Sequence, residues 1–535
     1  MGVRKIFFIS LVIIMFLLTA CNNKAGNDAN EVGENEELNK EGFPIVDEPI
    51  DLKFFTGKYP SNSDQYEDLL IWKKYAEETN VNVEFELHPF DTLSEKKGVV
   101  LAGGDYPDAF YSARLSSSEL YKYGKQGTFI PLNDLIDEYA PNLKRLMEED
   151  PNLERGLTMP DGNIYSFPSY YDPNFLAMLI GTPLWVYEPW LEELNMDEPQ
   201  TTEDFYEYLK AVKETDLNGN GEDDEIPFSG NGISPLLYQL KGAWGLGNMG
   251  NGHPLIDLDP ETDELRFYRT DPKYKEVLEY VHTLYSEGLI DKEIFEIESG
   301  QLNAKGAEGL LGSVIVPNPS SVMDKDGFIG LSALEGPHGD QLYSQLKTPI
   351  VHVGAFAITD KNEHPAATVR WMDHFFSDEG ATFYFMGVEG ETFEKKGEKE
   401  LEYVEEITDN PDGLTYAQAI EKYFSWNGGS YPGYVQEWYF KGSESHPNAL
   451  EAAEKAQDYI GETYNAFNYT EEEINFKSSV GEDIAQFISE KEAEFITGRT
   501  SFSEWNSFVE QIEKMGKDRL MEIENEAFKR YKDSN

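Results

Sequence analysis

The hydrophobic and polar residues near the start of the chain alternate between strand and helix periods. Ile50–Phe54 and Val81–Leu87 alternate apolar and polar residues with period two, which predicts strands with one buried face. Residues 66–78 between them, and Leu93–Ala102 after them, have apolar residues at helical spacing, and Ala109–Tyr111 is a third short strand. Strand, helix, strand, helix, strand is typical of an α/β sheet with parallel strand pairs.

An export signal precedes these elements. Residues 6–20 form an apolar run behind Arg4 and Lys5, and this run is too short to span a bilayer comfortably. It ends in Leu-Thr-Ala-Cys at residues 18–21, which resembles the lipobox of bacterial lipoproteins. The resemblance implies cleavage before Cys21 and a diacylglyceryl thioether on its sulfur. Because Cys21 is the single cysteine of the chain, no intramolecular disulfide can form.

An acidic loop at residues 216–225 begins like a calcium loop. Oxygen-bearing side chains occupy positions 1, 3 and 5, and a glycine occupies position 6, where an EF-hand loop turns sharply. The EF-hand glutamate of position 12 is replaced by Pro227, so acids at positions 9 and 10 are the substitutes. We therefore predict a structural calcium ion held by Asp216, Asn218, Asn220, the carbonyl of Glu222, Asp224 and Glu225. A solvated acidic turn is the alternative, since Asn, Gly and Asp are also ordinary turn residues.

Charge and missing motifs narrow the function. The 535 residues include 100 acids and 44 Lys or Arg, a net charge of −56, which repels nucleic acid and anionic membranes. The eight histidines show no His-Glu-x-x-His zinc motif, and no Gly-x-Ser-x-Gly elbow of a serine hydrolase is present. With so many acids, a carboxylate pair of an exported glycoside hydrolase or lyase stays open as an alternative. A surface adhesin is a third hypothesis.

Several stretches resemble one known family. Ser94–Lys96, Leu101–Asp108, Gly127–Leu132 and Pro160–Tyr165 are similar to the extracellular solute-binding proteins of carbohydrate ABC importers. The similarity is strongest to the long, calcium-containing branch that includes alginate-binding proteins and Gram-positive sugar-binding lipoproteins. It implies a two-lobed α/β fold of the type II periplasmic-binding-protein kind, with the lobes joined by a hinge. It also implies a monomeric binding protein, not an enzyme, which captures an oligosaccharide and delivers it to an ABC permease. The lipid would hold it on the extracellular face of a Gram-positive cell membrane.

The resemblance also suggests where the chain passes between lobes. The predicted segments are a signal peptide at 1–20, a disordered tether at 21–47, a first lobe at 48–178 plus 350–435, and a second lobe at 179–349 plus 436–535 that contains the calcium loop and the C-terminal helices.

Four residues are candidates for ligand contact. Trp244 is flanked by glycines and cannot belong to an amphipathic stripe, so it either wedges between loops or stacks on a sugar face. Trp426 lies in a similar glycine-rich loop. Tyr111 and Arg114 end the third predicted strand, where open α/β sheets bind ligands. Arg114 could donate two hydrogen bonds to a carboxylate or to a pair of hydroxyl groups, and an ion pair at the surface is the alternative.

Overall fold

A computed structural model describes residues 38–59, 62–414, 416–425 and 431–533. The predicted signal peptide, Cys21 and Trp426 lie outside these described residues.

The strands of the described residues are short, and most are buried on at least one face. They are β1 (Ile50–Lys58), β2 (Val81–Pro89), β3 (Ala109–Leu115), β4 (Phe167–Tyr171), β5 (Leu184–Tyr187), β6 (Ile226–Gly230), β7 (Asp257–Leu258), β8 (Leu265–Arg266), β9 (Leu311–Ile315), β10 (Phe328–Gly330), β11 (Ile350–Ile358), β12 (Phe393–Gly397), β13 (Glu400–Tyr403) and β14 (Gly433–Val435).

Helices connect these strands and fill the C-terminal region. They are α1 (Leu70–Thr79), α2 (Leu93–Gly103), α3 (Ser117–Lys125), α4 (Asn133–Tyr139), α5 (Pro141–Glu149), α6 (Pro151–Leu157), α7 (Leu176–Ile180), α8 (Glu188–Leu194), α9 (Thr202–Glu214), α10 (Ser234–Leu240), α11 (Pro272–Ser286), α12 (Ser299–Ala307), α13 (Pro319–Val322), α14 (Pro365–Asp373), α15 (Asp378–Met386), α16 (Glu405–Thr408), α17 (Tyr416–Ile420), α18 (Pro447–Ala456), α19 (Glu471–Phe476), α20 (Glu482–Ile496), α21 (Trp505–Met515) and α22 (Lys517–Asp533). Within the described part of the chain, none of them is long and apolar enough to cross a membrane.

Two sheets organise the molecule. The larger has six strands in the order β14-β4-β11-β3-β1-β2, and the smaller has four in the order β10-β5-β9-β6. The strands of the larger sheet fall within the residues predicted for the first lobe, and those of the smaller sheet fall within 179–349. Each sheet has its own hydrophobic cluster, as expected when helices cover the faces of a mixed sheet.

Helix α18 contacts both parts. Ala453 and Ala456 pack into the core of the larger sheet, whereas Ala449 packs beside Trp185 of the smaller one. A Cβ on Gly330 of β10 would collide with the Ala452 side chain, so the absence of a side chain there permits close packing. The segment after residue 435, predicted to belong to the second lobe, therefore joins the two cores, and residues 37–535 form one compact unit.

Residues 38–47 differ from the predicted disordered tether. Ile45 and Val46 are buried, and Leu38 forms an isolated bridge with Val46. The Arg370 guanidinium donates to the Asn39 carbonyl, and the Phe43 ring lies 5.9 Å from the Tyr75 ring. A polar segment is thus ordered because two apolar side chains and one arginine attach it to the first core.

A buried cation cluster lies in the second core. Lys241 is 1% exposed, and its Nζ lies 4.7 Å from the Tyr238 ring centroid and 5.2 Å from that of Tyr268. Burial, with the nearby charge of Arg269 adding to it, lowers the pKa of Lys241 to about 7. Arg269 has the Glu492 carboxylate at 2.8 Å. The Glu492 carboxylate therefore compensates the charge of Arg269 more directly than it compensates that of Lys241.

We expect the fold to gain stability as the pH rises from about 7 towards 9.5, where tyrosines begin to ionise. In that range the unfolded Lys241, with its ordinary pKa of 10.5, holds a proton that the folded Lys241 has released. The gain is up to about 1.4 kcal/mol per pH unit. Urea unfolding of the wild type and Lys241→Met at several pH values measures it, and the wild type should gain stability relative to the variant as the pH rises. Parallel curves would show that the folded Lys241 stays charged.

Candidate ligand and metal sites

The carboxyl ends of five strands of the larger sheet lie along one edge. β2 and β3 run parallel to β1, β14 runs parallel to β4, and β11 is antiparallel to both β3 and β4. The residues that follow these ends include Tyr59, Phe90 and Gln436. Open α/β sheets bind ligands beyond the carboxyl ends of their strands, so we call this side of the sheet the carboxyl edge.

Arg114 is held in place at this edge by two aromatic side chains. Its guanidinium carbon lies 4.0 Å from the Phe90 ring centroid, and Nη2 donates to the Tyr59 hydroxyl at 3.0 Å. The Tyr59 and Phe90 rings are 4.6 Å apart, and Tyr59 is 38% exposed. Neither aromatic is among the residues predicted from the sequence, although each directly follows a strand. The three residues, called the Arg114 cluster below, present a cation beside an accessible ring.

The backbone that aims Arg114 is strained. Ser112 and Arg114 have φ angles of 47° and 52°, which are unfavourable for residues with a Cβ. The Lys97 Nζ donates to the Arg114 carbonyl at 2.8 Å and to Glu119 at 2.9 Å. These bonds help hold the turned end of β3, and strain of this kind is often found where a side chain must be positioned.

Tyr111 does not reach the edge, contrary to its predicted ligand role. Its ring is buried 6.0 Å from the Trp72 ring and 6.4 Å from the Trp371 ring. Its hydroxyl donates to the Tyr384 hydroxyl at 3.0 Å. Side chains alternate between the two faces of a strand, and Tyr111 points into the face that packs against Trp72 of α1 and Trp371 of α14. It is a core residue here.

Trp244 is also covered by protein. The indole is 2% exposed, its Nε1 donates to Glu276 at 3.2 Å, and the Tyr280 ring lies 5.6 Å away. A Cβ on Gly242 would collide with the Leu342 carbonyl, so this glycine lets another segment pack closely. The flanking glycines thus allow close packing. Of the two predicted roles of Trp244, a wedge between loops fits the structure better than stacking on a sugar.

The middle of the carboxyl edge combines both signs of charge. Lys347 lies against Gly181, whose φ is 67° and where a Cβ would collide with the Lys347 ammonium. Burial lowers the pKa of Lys347 and raises that of Glu444, and each charge partly offsets the shift of the other. Burial, followed by the charge of Arg114, also lowers the pKa of His352, which favours the neutral imidazole. These groups offer both donors and acceptors.

The predicted calcium loop follows α9 and leads into β6. Thr201 begins α9 with a capping box, and the buried Phe205, Leu209 and Val212 fix the helix in the second core. In the loop, the two Asp216 carboxylate oxygens accept the N–H groups of Gly219 at 2.8 Å and Gly221 at 3.0 Å. The sharp turn predicted at position 6 is present.

The other acids also turn into the loop. Glu225 Oε1 accepts the N–H groups of Leu217 and Asn218 at 2.8 and 3.1 Å. The Asp224 carboxylate accepts hydrogen bonds from the side-chain amide nitrogens of Asn218 and Asn220 at 2.7 and 3.0 Å. Among the described residues no three His, Cys, Asp or Glu side chains converge as metal ligands, and the loop carboxylates accept hydrogen bonds from N–H groups instead. The set of oxygens still has the chemistry that a hard cation prefers.

Comparison with known proteins gives a family and relatives. The family described as bacterial extracellular solute-binding protein matches residues 59–382. The fructooligosaccharide ABC transporter substrate-binding protein FusA of Streptococcus pneumoniae is 28% identical over 548 positions, covering 98% of each chain. Lipoprotein LipO of Bacillus subtilis is 28% identical over 303 positions, covering 53% of this chain and 55% of LipO.

Solved structures confirm the predicted α/β fold. FusA in complex with kestose is 27% identical, covers 91% of this chain and 100% of its own, and has a TM-score of 0.73. A FusA EF-hand mutant in complex with fructo-nystose is 26% identical, with the same coverage and a TM-score of 0.73. Alginate-binding protein AlgQ2 without calcium ion is 22% identical, covers 90% of this chain and 99% of its own, and has a TM-score of 0.71, a likeness of fold alone.

Proposed function

The chain belongs to the bacterial extracellular solute-binding proteins, as its sequence resemblance predicted, and from this premise we propose that it is the oligosaccharide receptor of an ABC importer. The saccharide binds at the carboxyl edge of the larger sheet, between the predicted lobes. Closure then presents the loaded monomer to the permease, and binding favours the closed form only through contacts made in that form. FusA, which aligns with 98% of this chain, is named as a fructooligosaccharide ABC transporter substrate-binding protein.

The observation that carries this proposal is the Arg114 cluster. An exposed tyrosine ring can cover the apolar face of a sugar, and a guanidinium can donate to two of its hydroxyls. Lys347, which precedes β11 at the point where β11 pairs with the carboxyl end of β4, and Glu444, whose charge interacts with it, add a donor and an acceptor for further hydroxyl groups. The pairing of opposite charges at the edge favours a neutral saccharide over a uronic one.

The hydrolase, lyase and adhesin alternatives gain no comparable support. The matching family and FusA are both described by solute or substrate binding, and these descriptions place the chain among binding proteins instead of enzymes. Trp426, which lies outside the described residues, stays a predicted ligand contact.

Arg114→Ala should weaken binding of a fructooligosaccharide by about 1.5–3 kcal/mol, the usual contribution of hydrogen bonds to a charged group. Calorimetry with kestose measures the affinity, and chromatography should recover the sugar uncleaved. Arg519→Ala is the matched control, because Arg519 lies on α22 and pairs with Glu522 at 3.1 Å. Equal affinities of all three proteins would remove Arg114 from the site, and cleaved sugar would favour the hydrolase.

We further propose that residues 216–225 bind a structural calcium ion. The loop supplies the carboxylates of Asp216, Asp224 and Glu225, and Asn218 and Asn220 can rotate their amides to turn oxygen instead of nitrogen inward. The ion would offset the repulsion among three carboxylates and order a glycine-containing loop. A FusA structure described as an EF-hand mutant supports a loop of this kind in a relative.

Chelation should lower the melting temperature without abolishing saccharide binding, because the loop lies between α9 and β6 of the second core. At a hundredfold excess of calcium over its dissociation constant, the ion contributes about 2.7 kcal/mol. Asp216→Ala should reproduce the effect of the chelator, while Asp223→Ala, an exposed acid of the same loop that is not a predicted ligand, should leave the calcium dependence intact. Identical melting curves with calcium and with chelator would contradict the proposal.

We also propose that Cys21 carries the lipid that anchors the receptor on the extracellular face of the cell membrane. The lipobox-like residues 18–21 support this anchor. LipO, a relative over about half of the chain, is named a lipoprotein.

Cys21→Ala should abolish labelling of the protein by a palmitate analogue in a Gram-positive host and release it from the membrane fraction or leave its leader uncleaved. The reason is that the thioether needs the cysteine sulfur. The wild type, labelled in parallel, is the control. A variant that still takes up the label would disprove the anchor at Cys21.

A further inference from the structure

A half-buried tryptophan at the far end of the carboxyl edge suggests how the ligand extends. Resting on the proposed function, we propose that Trp438 stacks on a sugar ring at the β14 end of the carboxyl edge. The Arg114 cluster holds the other end, so the site takes an extended neutral oligosaccharide and not a mono- or disaccharide. The exposure of Trp438, the contacts that fix its ring and its place in the sheet support this assignment.

Exposure separates Trp438 from the other described tryptophans. The remaining six are at most 7% exposed and pack in the cores: Trp72, Trp185, Trp190, Trp244, Trp371 and Trp505. Trp438 is partly exposed at the border of the first core. Stacking on a sugar needs an accessible ring face, and among these seven tryptophans Trp438 best meets that requirement.

The indole is held in a fixed orientation. Its Nε1 donates to the Gln436 side-chain oxygen at 2.8 Å, and its ring meets the Tyr439 ring edge-on, with centroids 4.9 Å apart. Tyr439 is itself buried and donates to the Tyr434 carbonyl at 2.6 Å. An aromatic ring that is already fixed loses little conformational entropy when a ligand stacks on it.

The position of Trp438 gives the length of the site. It follows the carboxyl end of β14, which is one outer strand of the sheet, whereas Tyr59 and Phe90 follow β1 and β2 at the other side. With about 4.8 Å between neighbouring strands, the four steps from β14 to β1 span roughly 19 Å. Two anchors at this separation require several linked rings.

A charged hairpin lies beside this end of the edge. The Lys399 Nζ, between β12 and β13, lies 5.7 Å from the centroid of the Trp438 ring, which is within the range of a cation–π contact. The ammonium disfavours a cationic ligand at this ring.

The test is calorimetry of the full-length mature protein with sucrose, kestose, nystose and longer inulin-type fructans. Wild-type affinity should rise with chain length. Trp438→Ala should weaken the longest ligands by about 5- to 150-fold and change the shortest bound ligand little. Trp438→Phe, which keeps a ring, should restore most of the loss, and Tyr59→Ala should instead weaken every length that binds.

Each result is decisive. If the wild type binds no saccharide, the proposed function fails and this inference fails with it. If the wild type binds and Trp438→Ala matches it at every length, or loses affinity equally at every length, only the assignment of Trp438 is overturned. Melting curves identify a variant that fails to fold, and in that case the ligand-induced change in tryptophan fluorescence decides. It should shrink in Trp438→Phe, and an unchanged signal overturns the assignment.

Discussion

The antiparallel strand β11 is the constraint on which the larger sheet and its carboxyl edge depend. It pairs with β3 on one side and with β4 on the other. A segment that starts at residue 350 thus joins β4 to a group of strands that begins three hundred residues earlier. Gly354 allows this approach, because a Cβ there would collide with the Leu115 carbonyl. Two antiparallel pairings in succession leave β3 and β4 parallel, and that geometry brings distant side chains to one edge.

Local pattern predicted the elements well and the exposure of single residues poorly. The alternation of Val81–Leu87 predicted β2, with Val81 and Phe85 buried and Asn82 and Glu84 exposed. Tyr111 was predicted as a ligand contact because it lies near the end of β3, but its side chain points into the core against Trp72 of α1 and Trp371 of α14. Glycines beside Trp244 suggested an open loop, but close approach of a distant segment uses the same glycines. Such contacts depend on residues far apart in sequence, which periodicity does not report.

Composition describes the surface of this protein and not its interior. The excess of acids gives a charge of −56, yet the second core buries Lys241 and Arg269 beside tyrosine rings. At the carboxyl edge, cations and a carboxylate also stand close together, with Arg114 on Phe90 and Lys347 near Glu444. A ligand therefore meets a local field that is far more balanced than the net charge suggests, and the acidic exterior serves solubility.

The predicted calcium loop and the carboxyl edge belong to different parts of the structure. Glu225 accepts the N–H groups of Leu217 and Asn218 at one side of the loop, and β6 begins at Ile226, directly after it. An ordered loop therefore fixes the start of β6, which pairs with β9 in the smaller sheet. The Arg114 cluster depends on β1, β2 and β3 of the larger sheet. A cation bound in the loop, as proposed, would therefore stabilise the smaller sheet and its core, and it would act on the carboxyl edge only through the proposed closure of the two lobes.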